Sequence, residues 1–474
     1  MAAQVSFPAL VGAGLEVPLA GGGSRRYVNL DAAASTSPLR AVVDSVLAVL
    51  PWYSSVHRGA GFPSQVSTRL YETARDQVHA FVGAQATDTV VLVRNTTDAL
   101  NHLAAVLPLP PGGVILSTAV EHHANMLPWR RHCEVIALAP PPSPEALLDA
   151  VAGAFAQAPA GRPIAAVAIT GASNVTGEVM PIAEVARIAH QHGALVVVDG
   201  AQLAPSGRST WPPWAFDCLA LSGHKMYAPF GAGALVAPKA LLAQAAPFLA
   251  GGGAVDFVTL DDVLWTTPPD RLEAGSPNVV GAVALATACA TLAEIGMDAV
   301  AAHEQRLLRR LQAGLLTIPG LHLHRLWEGD HVDRLGVATF TVAGFEHALL
   351  AAALSAEHAI GVRHGCFCAH PYITHLLGID AREAEAIRDR LRAGDHARIP
   401  GALRASTCLG TSEDDVDALV EALTSLVADG PRLSYVRDVA TGDFHVENDP
   451  RAYPTFAPLP PLTADDRGGG CGRF

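Results

Sequence analysis

Charge is scarce in this chain. Only 16% of its 474 residues are Asp, Glu, Lys or Arg, against 50% hydrophobic, which excludes a solvated, unfolded polymer and predicts large filled cores. Positive charge is in particular deficit: 32 Lys and Arg face 45 Asp and Glu, a formal net charge of −13. Such a surface repels polyanions, so nucleic acid is not an expected partner. Cysteine is sparse and odd in number, seven residues at 133, 218, 289, 366, 368, 408 and 471. So few in so long a chain do not make a disulfide scaffold, and a reducing cytoplasmic setting is expected. A basic segment before an apolar core is missing from the start: Pro8, Glu16 and Pro18 interrupt the first apolar residues, so no signal peptide is expected. Long apolar runs are missing too. The most apolar stretch, 279–293, is rich in Ala and Thr and falls short of the roughly 20 residues a membrane span needs, so no membrane partner is expected.

What is present alternates. Apolar runs at 90–93, 114–117, 164–170, 194–198 and 219–221 read as buried strands, and a short strand is expected over 27–31. Helical patterns lie at 39–50 (opened by Pro38), 67–82, 99–106, 145–155 and 181–192. Continuous apolar strands separated by helices predict a mostly parallel sheet covered on both faces. Polar residues gather just after the strand ends, where such sheets bind ligands. The character changes near residue 280: helices over 279–295 and 299–315 lead to strands at 336–342, 360–363 and 402–406 and helices at 347–357 and 414–427. The expected division is a lead-in over 1–26, a large domain over 27–280, a small α+β domain over 281–430 and a strap or tail over 431–474, with 468–472 expected to be disordered.

Two strand ends carry the central chemistry. Leu219-Ala220-Leu221 runs into Ser222-Gly223-His224-Lys225, and 194–198 into Asp199-Gly200-Ala201-Gln202. A lysine for a Schiff base and an aspartate for a pyridinium nitrogen are the two protein groups that pyridoxal 5′-phosphate needs most. A lysine after a strand is more often simply solvated, but the small polar residues before it and Gly231-x-Gly233 after it argue against that here. Arg94-Asn95-Thr96-Thr97-Asp98 joins a strand to a helix and offers N–H groups and the positive end of a dipole to a phosphate. Capping by the hydroxyls alone would also account for Thr96 and Thr97. In Glu121-His122-His123-Ala124-Asn125 the adjacent histidines do not share a helix face and have no third ligand nearby. No metal is therefore expected, and an imidazole stacked on a flat cofactor is the better reading. From composition alone, His57-Arg58-Gly59-Ala60-Gly61 reads as an ordinary turn.

Taken together, these stretches resemble the class V aminotransferase family of fold-type-I pyridoxal phosphate enzymes, and more narrowly the cysteine desulfurases with a short active-site loop, also called the selenocysteine lyase-like group. The likeness spans about residues 27–427 in order. It also rests on Ser173-Asn174-Val175-Thr176-Gly177 and Leu272-Glu273-Ala274-Gly275-Ser276-Pro277-Asn278. It implies an α/β fold, PLP-dependent transferase fold type I: a large domain with a mostly parallel seven-stranded sheet plus a smaller α+β C-terminal domain. It implies Lys225 as the Schiff-base lysine, Asp199 as the partner of the pyridinium nitrogen, and His122 stacked on the ring and moving protons. Asn174 and Gln202 would bond near the phenolic oxygen, and Thr96 or Thr97, Ser222 and His224 would hold the phosphate. Ser276, where such enzymes often carry threonine, would reach the phosphate of the partner subunit in a homodimer with shared active sites. Arg58 would cross the same interface. Arg404 would clamp the α-carboxylate of the amino-acid substrate, with Arg363 also on the substrate side.

The same resemblance places Cys368, the cysteine before Ala369, over the cofactor. Lys225 would then remove the α-proton of L-cysteine and Cys368 would take its sulfur as a persulfide. Alanine would be left, and the sulfur would go on to an acceptor protein. The nucleophile must be ionised, and His364, Arg363 and His370 are the neighbours that could lower its pKa. Three plainer readings compete for Cys368: a buried small hydrophobe, a tight redox pair with Cys366, or a metal ligand beside Cys366, Cys408 and a histidine. The loop departs from the pattern. Cys366-Phe367 stands where a typical desulfurase has two histidines, and Gly-Cys-Phe-Cys also resembles the desulfurase-like domain of molybdenum cofactor sulfurases. Asn95 replaces a usual glycine. The alternative function is an aminotransferase, epimerase or lyase of the same family that uses Lys225 on another amino acid without a cysteine nucleophile. Further off is a sulfur-carrier or scaffold subunit without catalysis.

Overall fold

Seven short runs assemble into one sheet: β1 (Asp88–Val93), β2 (Val114–Thr118), β3 (Glu134–Leu138), β4 (Ile164–Thr170), β5 (Leu195–Asp199), β6 (Cys218–Ser222) and β7 (Gly233–Pro238). Their spatial order in this computed structural model is β1-β7-β6-β5-β4-β2-β3. Only β7 runs antiparallel to its neighbours, β1 and β6. The other six point one way, so their C-terminal ends share one edge. The structure describes residues 7–159, 161–206, 215–329, 332–397 and 399–457.

Strands β2 and β6 are buried at every residue. Alternate residues Val91, Ile115, Ala168, Val197, Ala220 and Leu235 pack against Leu100 and Leu103 of helix α3 (Thr96–Val106). The mostly parallel seven-stranded sheet is as expected. β3 escapes a search for buried runs because it lies at the sheet edge and its residues are exposed or half-buried. β7 escapes because it follows β6 without an intervening helix.

The first helix, Arg40–Val49, is capped by an extended Leu39, so Pro38 precedes the cap rather than opening the helix. Phe62–Phe81 starts earlier than periodicity suggests because Pro63 occupies its first turn. The apolar helix Val279–Ile295 is a core helix: Val279, Ala282, Val283 and Ala286 pack with Val49, Tyr71 and Ala74. It meets the next helix, Met297–Leu315, at 81°, and no single described helix is long and apolar enough to cross a membrane.

The described residues divide into two compact units. One holds the chain up to Val11, Ala33–Glu304 and Leu326–Leu335; the other holds Gly12–Ala32, Gln305–Arg325 and the chain from Gly336. These limits differ from the expected 26 and 280. Val28–Asn29, expected in the large domain, pairs in parallel with Ile360–Gly361 inside the second unit. The expected single strand over 360–363 is therefore two. Its second part, Arg363–Gly365, belongs to a four-stranded antiparallel sheet with Leu321–His324, Val337–Val342 and Ala402–Ser406. Phe340 and Leu403 of that sheet pack with Leu350 and Leu354 of helix His347–His358 and with Leu419 and Leu423 of helix Glu413–Asp429. Ser412 and Asp415 close the latter's N-terminus as a capping box. Helix Ala381–Arg392 has no fully buried residue; Ala384, Ile387 and Leu391 form a half-buried stripe at helical spacing between charged residues. The tail begins with a hairpin, Tyr435–Arg437 with Phe444–Val446, and the expectation of disorder over 468–472 lies outside the described residues.

One buried carboxylate ties the large unit together. Glu273 accepts from the Tyr71 hydroxyl (2.7 Å), from Arg75 Nη1 (2.7 Å) and from the backbone N–H of Leu92 (2.6 Å). Replacing Glu273 by Ala leaves Arg75 with the half-exposed Glu72 as its one carboxylate partner and takes the acceptor from the Tyr71 hydroxyl and the Leu92 N–H, and is expected to lower stability by about 3 kcal/mol. The urea midpoint reads this, and a loss below about 1 kcal/mol, the value of an exposed pair, would contradict it.

Candidate active site

Lys225 ends a single turn, Gly223–Lys225, that follows β6. A Cβ at position 223 would stand 2.6 Å from the Ala232 carbonyl oxygen, so only glycine lets the chain turn there. Thr36 holds both sides of the lysine. Its N–H and hydroxyl donate to the His224 carbonyl (2.9 and 3.1 Å), and its hydroxyl accepts from Tyr227 N–H (2.8 Å). Thr36 belongs to a run of small residues with no motif of its own, and only the fold gives it this task. The chain has just two lysines, Lys225 and Lys239, a count that singles out Lys225 more sharply than its flanks do.

Beside it lies a cradle of hydroxyls and backbone N–H groups. Thr96 N–H donates to Ser222 Oγ at 2.8 Å, and the two hydroxyls are also 2.8 Å apart. This joins the start of α3 to the end of β6. Asn95, in place of glycine, caps α3 by accepting from Asp98 N–H at 3.0 Å. Thr96 and Ser222 are buried while Thr97 is exposed, so the pair that meets is Thr96 with Ser222. Burial, and then Lys225, push His224 down to about 4, so it is a neutral imidazole.

Asp199 is buried at the end of β5, opposite Thr170 and Ala220 on the neighbouring strands. Burial pushes its pKa up, while the Ala201 N–H at 3.0 Å and the Lys225 ammonium pull it down. Glu121, part of the double-histidine motif but given no role by sequence, is wholly buried nearby. Burial drives it up to about 8, Asp199 adds to the rise, and Asn125 Nδ2 (2.7 Å) and the Thr118 hydroxyl (2.9 Å) hold it. Gln202 donates its amide to the Ala33 carbonyl (2.8 Å). His122 Nδ1 accepts from Ala124 N–H (3.0 Å), which leaves its proton on Nε2. Asn174 is buried in a turn that Ser173 Oγ pins through the N–H groups of Val175 and Thr176, both at 3.2 Å. Arg58 and Ser276 are exposed.

The second unit brings together Cys368, Arg404 and Arg363. Asp31 carries both guanidinium groups, Arg363 at 2.8 Å and Arg404 at 3.3 Å. The Phe367 ring lies 4.9 Å from the Arg404 guanidinium carbon. Burial lowers Arg404 to about 10, against the pull of Asp31 and of a thiolate at Cys368, so it stays charged at neutral pH. Cys368 itself sits in a turn closed by Ala369 N–H donating to the Cys366 carbonyl (2.9 Å). Phe367 and Cys368 have φ of +53° and +54°, the left-handed values of a type I′ turn that normally takes Asn and Gly. Two such residues in succession store strain. His364 and His370, expected to lower the thiol's pKa by their charge, are pushed down by burial, His364 to about 4, so neither is a cation at neutral pH. Among the described residues no three His, Cys, Asp or Glu side chains could hold a metal ion, and Cys408 bonds instead with Thr411.

A model of the family Aminotransferase class-V matches residues 28–419. The chain belongs to the class V aminotransferases. Within them it is of the cysteine desulfurase type. It is 35% identical over 416 residues to a probable cysteine desulfurase of Halobacterium salinarum, covering 86% of this chain and 93% of the relative. A cysteine desulfurase of Dickeya dadantii is 34% identical over 404 residues, 83% and 90% of the two chains. Among solved structures, the apo cysteine desulfurase of Thermococcus onnurineus superimposes with a TM-score of 0.74 at 28% identity, covering 90% of this chain and 100% of that one. The cysteine desulfurase CsdA of Escherichia coli, in an S-sulfonic acid form, gives 0.70 at 30% identity, with 88% and 95% covered.

Class V aminotransferases are pyridoxal phosphate enzymes, and the donor set of the large unit fits that group. The Asp199 carboxylate is destabilised by burial, and a protonated ring nitrogen would hold it ionised. The hydroxyls and N–H groups at the start of α3 suit a phosphate.

Two outcomes are expected from these sites. Glu121 has its folded pKa raised from 4.5 to about 8, so as pH rises through that window the unfolded state loses its proton first and wild-type stability falls. Glu121→Gln removes the titration. Its melting temperature relative to wild type should therefore climb between about pH 5 and pH 8, and parallel curves would refute the assignment. At the strained turn, Cys368→Gly should be more stable than Cys368→Ala by about 1 kcal/mol in denaturant, because only glycine takes the left-handed conformation without strain.

Proposed function

We propose that this chain is a pyridoxal phosphate-dependent cysteine desulfurase, which takes the sulfur of L-cysteine onto Cys368 as a persulfide and releases L-alanine. The observation that carries this reading is the thiol of Cys368 on a strained turn, electrostatically coupled to the buried cation Arg404. A buried small hydrophobe would not need that conformation, and a nucleophile benefits from both the cation and the fixed placement.

When bound through Lys225, Asp199, His122 and the Thr96–Ser222 cradle, pyridoxal phosphate supplies the electron sink that makes the α-proton of an amino acid acidic. Lys225 would take that α-proton, Asp199 would keep the ring nitrogen protonated, His122 would offer its Nε2–H, and Asn174 and Gln202 would supply hydrogen bonds toward the phenolic oxygen. Neutral His224 assists the phosphate as a hydrogen-bond donor rather than as a charge. Arg404, oriented by Asp31, takes the substrate carboxylate in the two-pronged geometry that a guanidinium offers, with Arg363 beside it. The Cys368 thiolate attacks the substrate sulfur. In a homodimer, Arg58 and Ser276 serve the partner subunit's site. A reducing cytoplasm suits a chain that works through thiols.

The test is incubation with L-cysteine, scoring alanine and sulfide, on wild type, Cys368→Ala and Lys225→Ala. Both variants should lose alanine formation by about 100-fold or more. Borohydride reduction of the holoenzyme should leave a phosphopyridoxyl mass on the Lys225 peptide and none on that of Lys239. If Cys368→Ala makes alanine at the wild-type rate, the enzyme is a lyase that works through Lys225 without a cysteine nucleophile.

A further inference from the structure

A cavity of about 440 Å³ lies in the small unit, and Cys366 lines it. That volume falls in the range of small-molecule sites. Cys366 opens the same four-residue turn in which Cys368 stands third, yet Cys368, though among the described residues, does not line the cavity. The turn therefore carries one thiol coupled to Arg404 and another facing a separate chamber.

The chamber has the features of a site in want of an occupant. His347, His364 and His396 all line it, and the Nδ1 of each is buried with no hydrogen-bond partner. Three buried ring nitrogens without a partner beside one cavity are a standing cost, and a small rotation of the rings would bring them to N–H groups of a ligand. The tautomer of His347 follows from its other nitrogen: Nε2 lies 3.0 Å from the Ile399 carbonyl, so the proton is on Nε2 and Nδ1 is an acceptor. Burial keeps the rings of His347 and His364 neutral.

Arg388 and Arg392, from helix Ala381–Arg392, also line the cavity. Arg388 pairs with Glu385, and Arg392 with Asp389 and Glu385, all in exposed contacts that a bound carboxylate displaces at little cost. Another part of the wall comes from the tail hairpin through Arg437 and 441–443, beyond residue 419 where the family match ends. Gly442, at φ +80°, fits so closely that a Cβ there would meet the His396 carbonyl oxygen at 2.4 Å.

We propose that this cavity binds a small thiol bearing carboxylate and N–H groups, and that Cys366 relays sulfur to it from Cys368. This rests on Cys368 as the first sulfur carrier. In the first step the Cys366 thiolate attacks the outer sulfur of the Cys368 persulfide. The S–S bond to Cys368 breaks, one to Cys366 forms, and Cys368 leaves as the thiolate, so the negative charge passes from Cys366 to Cys368 and no proton is moved. In the second, the thiolate of the bound small molecule attacks the same outer sulfur, departs as its own persulfide and restores the Cys366 thiolate. The outer sulfur keeps its oxidation level throughout, so neither step needs an oxidant or a reductant.

The experiment loads the holoenzyme with L-cysteine, removes the excess, and follows discharge of protein-bound sulfur by glutathione, with fragment masses locating the sulfur. Wild type should carry sulfur on both Cys366 and Cys368. Cys366→Ser should carry it on Cys368 alone and discharge to glutathione about tenfold more slowly or worse. The double variant Arg388→Ala/Arg392→Ala, which leaves the interior untouched, should need about tenfold more glutathione for half-maximal discharge. Equal discharge rates for wild type and Cys366→Ser, or unchanged glutathione dependence in the arginine variant, would overturn the relay. Sulfur on Cys366 of a Cys368→Ala enzyme would instead overturn Cys368 as the first carrier.

Discussion

Asp199 stands without solvent at the end of β5, and an ionised carboxylate in such a place is costly unless it is paired and hydrogen-bonded. Much of the large unit's architecture answers that demand. Six strands run in one direction, so the sheet ends that flank Asp199 present Thr170, Ala201 N–H and the Lys225 turn toward one edge. Glu121, buried close enough to feel the charge of Asp199, yields by holding its proton. Burial raises both carboxyl groups in this dry region, and the Ala201 N–H and the Lys225 ammonium act on Asp199 in the opposite direction.

The small unit solves a different problem with similar means. Its thiol sits in a turn that the backbone disfavours, and the strain must be held by neighbours. The Phe367 ring is packed beneath Arg404, Arg404 is tethered by Asp31, and Asp31 also holds Arg363. Backbone strain, a cation–ring contact and an ion pair form one chain of dependence, in which the placement of Cys368 is inherited from Asp31, more than 300 residues earlier.

Much of this was legible before any coordinates. Runs such as Ile164–Thr170 and Ala402–Ser406 are buried from end to end, so apolarity alone delimits them. Asp199, Lys225 and Cys368 lie in local patterns, and a local pattern survives in a one-dimensional reading. Elements without fully buried residues are harder to see: Glu134–Leu138 lies at the sheet edge, and the stripe of Ala381–Arg392 is three half-buried residues among charges. Partnerships made across the chain, such as Glu273 with Arg75 or Asp31 with Arg404, do not survive such a reading, because their specificity resides in three-dimensional proximity. Charge states were the least legible. His364 and His370 read as neighbours that could lower a thiol's pKa, and only burial reveals that they are neutral.

The poverty in lysine reaches beyond chemistry at the site. Of the two ε-amines, Lys239 is exposed at the start of a short helix, while Lys225 is half-buried in its turn. Among the side chains, the molecular surface therefore offers a single outward-facing amine. Any tether, label or support that couples through side-chain amines grips the protein at one defined point, in one orientation, at the opposite end of β7 from the strand end that leads to Lys225.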